Sequence, residues 1–259
     1  MRTKKNSRTL ITGTSSGLGK YLLESFDGIS WNRDSTDKIK NELKKEGVDS
    51  IIHCAFNSSQ TVISDNLHDY LDDNLFLTKE LLDIPHKKFI FISSVDVYPK
   101  DKKVHNENEM IDVNNVHGMY GITKLMSEAQ VIKKSPNFLI LRCSALLGNY
   151  SRKNSLIKIL GGIDKVTLSD TSTFNYILHR DVANVIKVAM KQNLQGIYNI
   201  ASSKNISLKE VESLSGKKAT FGNYVYNVGN IDNKKITSVF PAFKKTSREI
   251  VVAFSSLGK

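Results

Sequence analysis

A chain of 259 residues, 40% hydrophobic and 24% charged, has room for one large domain, or for a nucleotide-binding domain with a small appendage. Its 4 prolines, the lack of Gly/Ser-rich linkers or repeats, and the absence of a long apolar run argue against a domain array and a membrane span. The net charge of +11 is scattered as pairs such as Lys44-Lys45, Lys87-Lys88 and Lys133-Lys134, with no aromatic-interleaved stripe, so it predicts a solvated surface attractive to phosphorylated ligands and no nucleic-acid groove.

Met1 to Arg8 is polar and basic and lacks the apolar core of a signal peptide, so a cytoplasmic protein is expected. Thr9-Leu10-Ile11-Thr12 predicts a short strand running into a glycine-rich turn, after which Leu18, Tyr21, Leu22 and Phe26 recur at helical spacing. Ile29-Ser30-Trp31 predicts a second strand, and Thr36 to Glu46 a charged helix stopped at Gly47. Val48 to Ala55 is the third expected strand. A helix over Leu71 to Leu82 would carry Leu71, Leu75, Thr78 and Leu82 on one face. Phe89 to Ile92 is a continuous apolar run of the kind found in parallel sheets covered on both faces. Met119 to Lys134 predicts a helix and Phe138 to Leu141 a further strand. The alternation predicts an α/β fold, a doubly wound parallel Rossmann sheet over residues 1–150. Beyond it, a helix marked by Val182, Val185, Ile186 and Ala189, a strand over Gly196 to Ala201 and a capping box at Ser207 to Glu210 predict a small mixed C-terminal substrate lobe, residues 151–259, packed on the sheet.

The turn Gly13-Thr14-Ser15-Ser16-Gly17-Leu18-Gly19 lies between strand and helix, where glycines allow a tight turn and close approach of backbone to a pyrophosphate. The unpaired N–H groups of the helix N-terminus favour phosphates there. Gly13, Ser15, Ser16, Gly17, Leu18 and Gly19 are therefore expected to bind a dinucleotide. The second strand should end at the adenosine ribose, where this chain has Asn32-Arg33-Asp34. Arg33 points to a 2′-phosphate and hence to NADP; the alternative is NAD, with Arg33 on the surface and Asp34 on the ribose.

Tyr120 and Lys124 lie four apart in a predicted helix and share a face. A Tyr has an unperturbed pKa of about 10, and a nearby ammonium lowers it, so that the phenol can exchange a proton with a carbonyl or alcohol oxygen. Ser94 follows the C-terminal end of a central strand, where ligands of open α/β sheets bind, and its hydroxyl is placed to bond the same oxygen.

With these motifs in order, the chain resembles the short-chain dehydrogenase/reductase superfamily, especially its extended branch of nucleotide-sugar epimerases, dehydratases and reductases. The resemblance runs through the TGxxxGxG turn at Thr12 to Gly19, the strand ending His53-Cys54-Ala55, the helix holding Asn74, and FISSVDVY at Phe91 to Tyr98. It continues through Tyr120-Gly121-Ile122-Thr123-Lys124 with Glu128, Leu141-Arg142, Gly148, Arg180 to Ala183 and Gly196 to Asn199, covering residues 8 to 241. It implies hydride transfer with nicotinamide, with Tyr120 as acid/base, Lys124 on the nicotinamide ribose, Ser94 on the reacting carbonyl and Asn74 holding a supporting hydrogen-bond chain. Asn74 reads equally as a structural helix residue, and His53 as a packed strand-end residue. By the same resemblance Cys54 and Ala55 border the cofactor, and Cys143 forms a wall beside the nicotinamide. Two cysteines make neither a disulfide framework nor, unaided, a zinc site, and no metal is expected.

Three departures narrow the reading. Val95-Asp96 is an incomplete acidic pair for a 4,6-dehydratase. Ala145 stands where many epimerases carry an Asn, and Phe174 near the place of an Arg that binds nucleotide-sugar pyrophosphate. The expectation is an NADPH-dependent reductase of a keto-sugar or nucleotide sugar, similar to the dTDP-4-dehydrorhamnose reductases, with a homodimer as a possible assembly. An NAD-dependent epimerase on the same fold and a nonenzymatic dinucleotide sensor are the alternatives.

Overall fold

The computed structural model describes residues 8–33, 35–59, 61–162 and 165–257. Strands β1 (Thr9–Thr12), β2 (Ile29–Trp31), β3 (Val48–His53), β4 (His86–Ser94), β5 (Phe138–Cys143) and β6 (Gly196–Ile200) form one sheet, in the order β6-β5-β4-β3-β1-β2. Every pairing in it is parallel. The order reverses between β1 and β3, which opens a crevice above their C-terminal ends, the place where such sheets bind ligands.

Helices cover both faces. On one, α1 (Gly17–Phe26) and α7 (His179–Gln192) pack over Ile11, Ile52, Ile90 and Leu141. On the other, Leu43 of α2 (Asp37–Glu46), Leu81 and Leu82 of α4 (Leu77–Leu82) and Val131 of α5 (Gly118–Lys134) pack with Leu10, Ile51, Phe89 and Phe91. Burial on both sides explains why Phe89 to Ile92 is apolar without alternation.

Local chemistry sets the element ends. Thr36 caps α2 by accepting from Ile39 N at 3.4 Å, and Gly47 closes it with φ +69°. The capping box at Ser207 and Glu210 opens α8 (Leu208–Ser215) as predicted. Strand β3 stops at His53, short of the expected Ala55, because the Cys54 and Ala55 N–H groups leave the ladder and donate to Thr12 Oγ1 at 3.0 and 2.9 Å. The helix expected over 71–82 begins earlier, as α3 (Ser64–Leu71), and passes through a π-helical turn, Asp72–Phe76, before α4. Such turns insert one residue, and this one carries Asn74.

The boundary at residue 150 does not follow the sheet. Strand β6 pairs with β5 from Gly196↔Leu139 to Ile200↔Cys143, and α7 covers the same core, so the Rossmann sheet draws on chain beyond 150. A separate cluster holds the remainder together, with Leu147, Leu156 of α6 (Ser155–Gly161), Tyr176, Leu208 and Ile250 buried in it.

A buried charge network ties the sheet to α5. Arg142 Nη2 meets Glu128 Oε2 at 2.7 Å, Ser93 Oγ donates to Glu128 Oε1 at 2.5 Å, and Arg142 Nη1 donates to Tyr98 Oη at 2.9 Å. Tyr98 in turn donates to Asn199 Oδ1 at 2.8 Å, joining β6 to the same cluster. Such a pair holds only if every member is satisfied, which these partners achieve. Among the described residues, no helix is long and apolar enough to cross a membrane.

Candidate active site

The register between β4 and β5 sets Ser94 beside Cys143 at the C-terminal edge of the sheet. Ser94 caps the short 3-10 turn Val95–Val97: its Oγ accepts from Asp96 N at 3.1 Å and donates to Asp96 Oδ2 at 3.2 Å. Helix α5 brings Tyr120 and Lys124 to the same edge. Gly121 permits the approach, because a Cβ there would overlap the Asp96 carbonyl. Tyr120 stands edge-on to Phe56 with ring centroids 5.7 Å apart, and Lys124 Nζ lies 3.6 Å over the Phe56 ring. Lys124 Nζ also donates to Ile92 O at 2.7 Å.

The electrostatics differ from the expected ammonium-acidified phenol. Burial, and then the Asp96 carboxylate, push Tyr120 well above its ordinary value, against the neighbouring Ser94 hydroxyl, which favours the charged form. Burial pushes Lys124 down to about 7, and its ammonium is drawn to the Ile92 carbonyl, 5.8 Å from the Tyr120 ring centroid. Tyr120 is thus held as a neutral phenol. Burial works against the Asp96 carboxylate, yet Lys100 at 2.6 Å, with hydrogen bonds from Tyr226 at 2.9 Å and from Ser94, holds it below the ordinary carboxylate range. Burial raises both thiols, Cys54 to about 12, which keeps them protonated and unreactive.

Two adjoining cavities meet over the crevice. The larger, about 1200 Å³, is lined by Gly13, Ser15, Trp31, Asn32, Arg33 and Ala55 among others. The smaller, about 450 Å³, is lined by Ser16, Gly17, Leu18, Gly19, Cys54, Ser94, Tyr120, Lys124 and Cys143, and shares Gly13 with the first. The glycine turn fits a dinucleotide: a Cβ at Gly19 would overlap the Gly13 carbonyl, so only Gly lets α1 start this close to β1.

Every expected site residue except Asn74 lines one of these cavities. Asn74 is buried and clamps the loop after β3: its Oδ1 accepts from Asn57 N at 2.7 Å and its Nδ2 donates to Asn57 O at 3.1 Å. His53 is wholly buried and neutral, pushed down to about 3 by burial and then by Lys124, in keeping with a packed strand end. Arg33 faces solvent, with 85% of its side chain exposed, and its Nη2 pairs with Asp73 Oδ1 at 2.5 Å across the larger cavity. Asp34 lies outside the described residues.

Among the lining residues that the sequence did not place in the site are Phe56, Asp73, Asp96 and Tyr226. Asp96 had a signal, as half of an acidic pair, and Phe56 adjoins the Cys54-Ala55 landmark. Asp73 needed the π-helical turn, and Tyr226 lies more than 100 residues from its partner in sequence.

Lys124 carries a pH signature. Its folded-state value, about 7, lies below that of an unfolded lysine, so the unfolded chain binds more protons between the two, and stability rises with pH across that window. We expect the wild type to gain stability relative to Lys124→Met as the pH rises from about 7 to about 10. Urea unfolding of both proteins across that range is the check; a pH-independent difference would contradict the assigned burial of the ammonium.

Comparison with known proteins agrees with this fold. The structure of MoeE5 in complex with UDP-glucuronic acid and NAD superposes with a TM-score of 0.79 at 16% identity, over 96% of this chain and 98% of that one. The dTDP-4-dehydrorhamnose reductase of Bacillus anthracis str. Ames, in complex with NADP, gives 0.78 at 17% identity over 96% and 98%. The UDP-glucuronic acid 4-epimerase of Bacillus cereus, in complex with UDP-glucuronic acid and NAD, gives 0.77 at 19% over the same shares. In sequence, the Danio rerio methionine adenosyltransferase 2 subunit beta is 21% identical over 233 residues, 79% of this chain and 71% of that protein. Residues 9–201 match the NAD dependent epimerase/dehydratase family, and the chain belongs to that family.

Proposed function

We propose that the protein is an NAD(P)-dependent reductase that converts a keto-sugar, or a nucleotide-linked keto-sugar, to the alcohol. The observation that carries this reading is the convergence of Ser94, Tyr120 and Lys124 on a cavity continuous with that of the glycine turn. The dinucleotide, when bound, supplies the hydride. Tyr120, held neutral, donates its proton to the carbonyl oxygen as charge develops there. The Ser94 hydroxyl turns from Asp96 to the same oxygen and orients it. Lys124 lies one helical turn from Tyr120 and reaches the ribose side of the cofactor. Phe174, Tyr226 and Val228, from beyond residue 150, form the substrate wall. A phenol kept protonated suits reduction better than the oxidation with which an epimerase cycle begins, and a sensor has no use for a proton donor.

For the cofactor we propose NADPH, with Arg33 exchanging Asp73 for the 2′-phosphate. The Arg33–Asp73 pair also favours a second reading, NAD, in which Asp73 keeps Arg33 neutralised and faces the ribose.

Two measurements test these readings. Tyr120→Phe should lower turnover by about 10²- to 10⁴-fold, the usual contribution of a general acid, while leaving cofactor affinity nearly unchanged. NADPH oxidation with a panel of keto-sugars is the assay, and a variant as active as the parent removes Tyr120 from the role. For cofactor choice, Arg33→Ala should weaken NADPH by about 10- to 150-fold, while Asp73→Asn tightens it by about 2- to 5-fold, the size of an exposed ion pair. NADH should respond to neither change. Calorimetric titration showing tighter NADH binding in the wild type, with Arg33→Ala indifferent, would establish the second reading instead.

A further inference from the structure

Among the described residues, the two cavities share four lining residues: Gly13, Phe56, Ser58 and Arg152. Arg152 is the only charged side chain among them. A dinucleotide that puts its adenosine beside Trp31 and Arg33 and its nicotinamide beside Tyr120 must carry its diphosphate across that junction. Two negative charges would then pass beside the Arg152 guanidinium.

Arg152 belongs to a strap, residues 149–154, that crosses the start of α1. The Tyr150 carbonyl accepts from Gly17 N at 2.8 Å, taking one of the N–H groups at the helix N-terminus. Arg152 Nε donates to Ser16 Oγ at 3.2 Å. The strap is anchored on the outer face of α1, where Tyr150 Oη donates to both Glu24 oxygens at 2.8 and 2.9 Å and Lys20 Nζ lies 4.4 Å over the Tyr150 ring. The Arg152 side chain is exposed, and a neutral serine hydroxyl is a weaker partner for it than a diphosphate oxygen. The strap therefore occupies the Gly17 N–H with its own carbonyl and holds the Arg152 guanidinium at the neighbouring residue, Ser16.

We infer that Arg152 is a further cofactor-binding residue, which exchanges Ser16 for the diphosphate of the bound dinucleotide. This inference rests on the proposed dinucleotide site and adds to it a ligand from the segment after the sheet's fifth strand. It also separates two arginines by role. Arg33 meets the 2′-phosphate, which NADPH alone carries; Arg152 meets the diphosphate, which NADPH and NADH share.

Calorimetric titration of NADPH and NADH into the wild type, Arg152→Ala and Arg152→Lys is the test. Because Arg152 is exposed, both variants should keep the wild-type melting temperature. We expect Arg152→Ala to weaken both cofactors by the same factor, about 10- to 100-fold at low salt, with a smaller loss at high salt and partial retention in Arg152→Lys. Affinities of Arg152→Ala equal to the wild type for both cofactors would overturn the inference and leave the dinucleotide site standing. A loss confined to NADPH would overturn it too, by moving Arg152 to the 2′-phosphate. Failure of the wild type to bind either cofactor would remove the site itself, and the inference with it.

Discussion

A directed hydrogen-bond chain from Thr12 to Asn74 holds the two sides of the crevice in place. Thr12 Oγ1 accepts from the Cys54 and Ala55 N–H groups, so its own proton goes to His53 Nδ1 at 2.8 Å. His53 Nε2 then carries the ring proton and donates to Thr78 Oγ1 at 3.0 Å, and Thr78 passes its proton to Asn74 O at 2.6 Å. The chain has one polarity and requires a neutral imidazole, which burial guarantees. It joins β1, the end of β3 and the π-helical turn, and Asn74 extends it to the backbone of Asn57. Gly13, Cys54, Ala55 and Phe56, which line the crevice, are all fixed by it.

Fixing Phe56 has consequences for Tyr120 and Lys124. Its ring packs under the Lys124 ammonium and edge-to-face with Tyr120, so the wall between the cavities is also the floor beneath Tyr120 and Lys124. With Lys124 turned to the Ile92 carbonyl, the carboxylate of Asp96 becomes the nearest strong influence on the phenol besides burial. Asp96 keeps its charge through Lys100 and Tyr226, and Tyr226 comes from the C-terminal part of the chain. The protonation state of Tyr120 therefore depends on segments far apart in sequence. Fold membership alone does not fix it.

What was legible in the sequence follows the range of the forces involved. Strand and helix positions around the sheet came from local periodicity and from caps at Thr36, Gly47 and Ser207, where each signal sits within a few residues. The glycine turn and the Tyr120–Lys124 spacing were readable for the same reason. Helix α3 was hidden because its polar residues and the π-helical turn break the 3.6-residue pattern that marks an amphipathic helix. The sheet's use of Gly196 to Ile200 was hidden by a pairing that spans more than 50 residues. The Arg33–Asp73 pair, 40 residues apart, and the reversal of the Tyr120 shift both arise from tertiary packing, which spacing cannot report.

The proposed dinucleotide would lie along this crevice, from the end of β2 to Tyr120. Trp31, the single tryptophan, lines the larger cavity and serves as an internal probe. Titrating NADPH and NADH while exciting Trp31 is the most direct measurement. Binding in the crevice predicts saturable quenching of the tryptophan emission by at least one of them, with sensitised emission from the reduced nicotinamide that the oxidised cofactor reverses. Tryptophan emission that stays unchanged under saturating concentrations of both would contradict it.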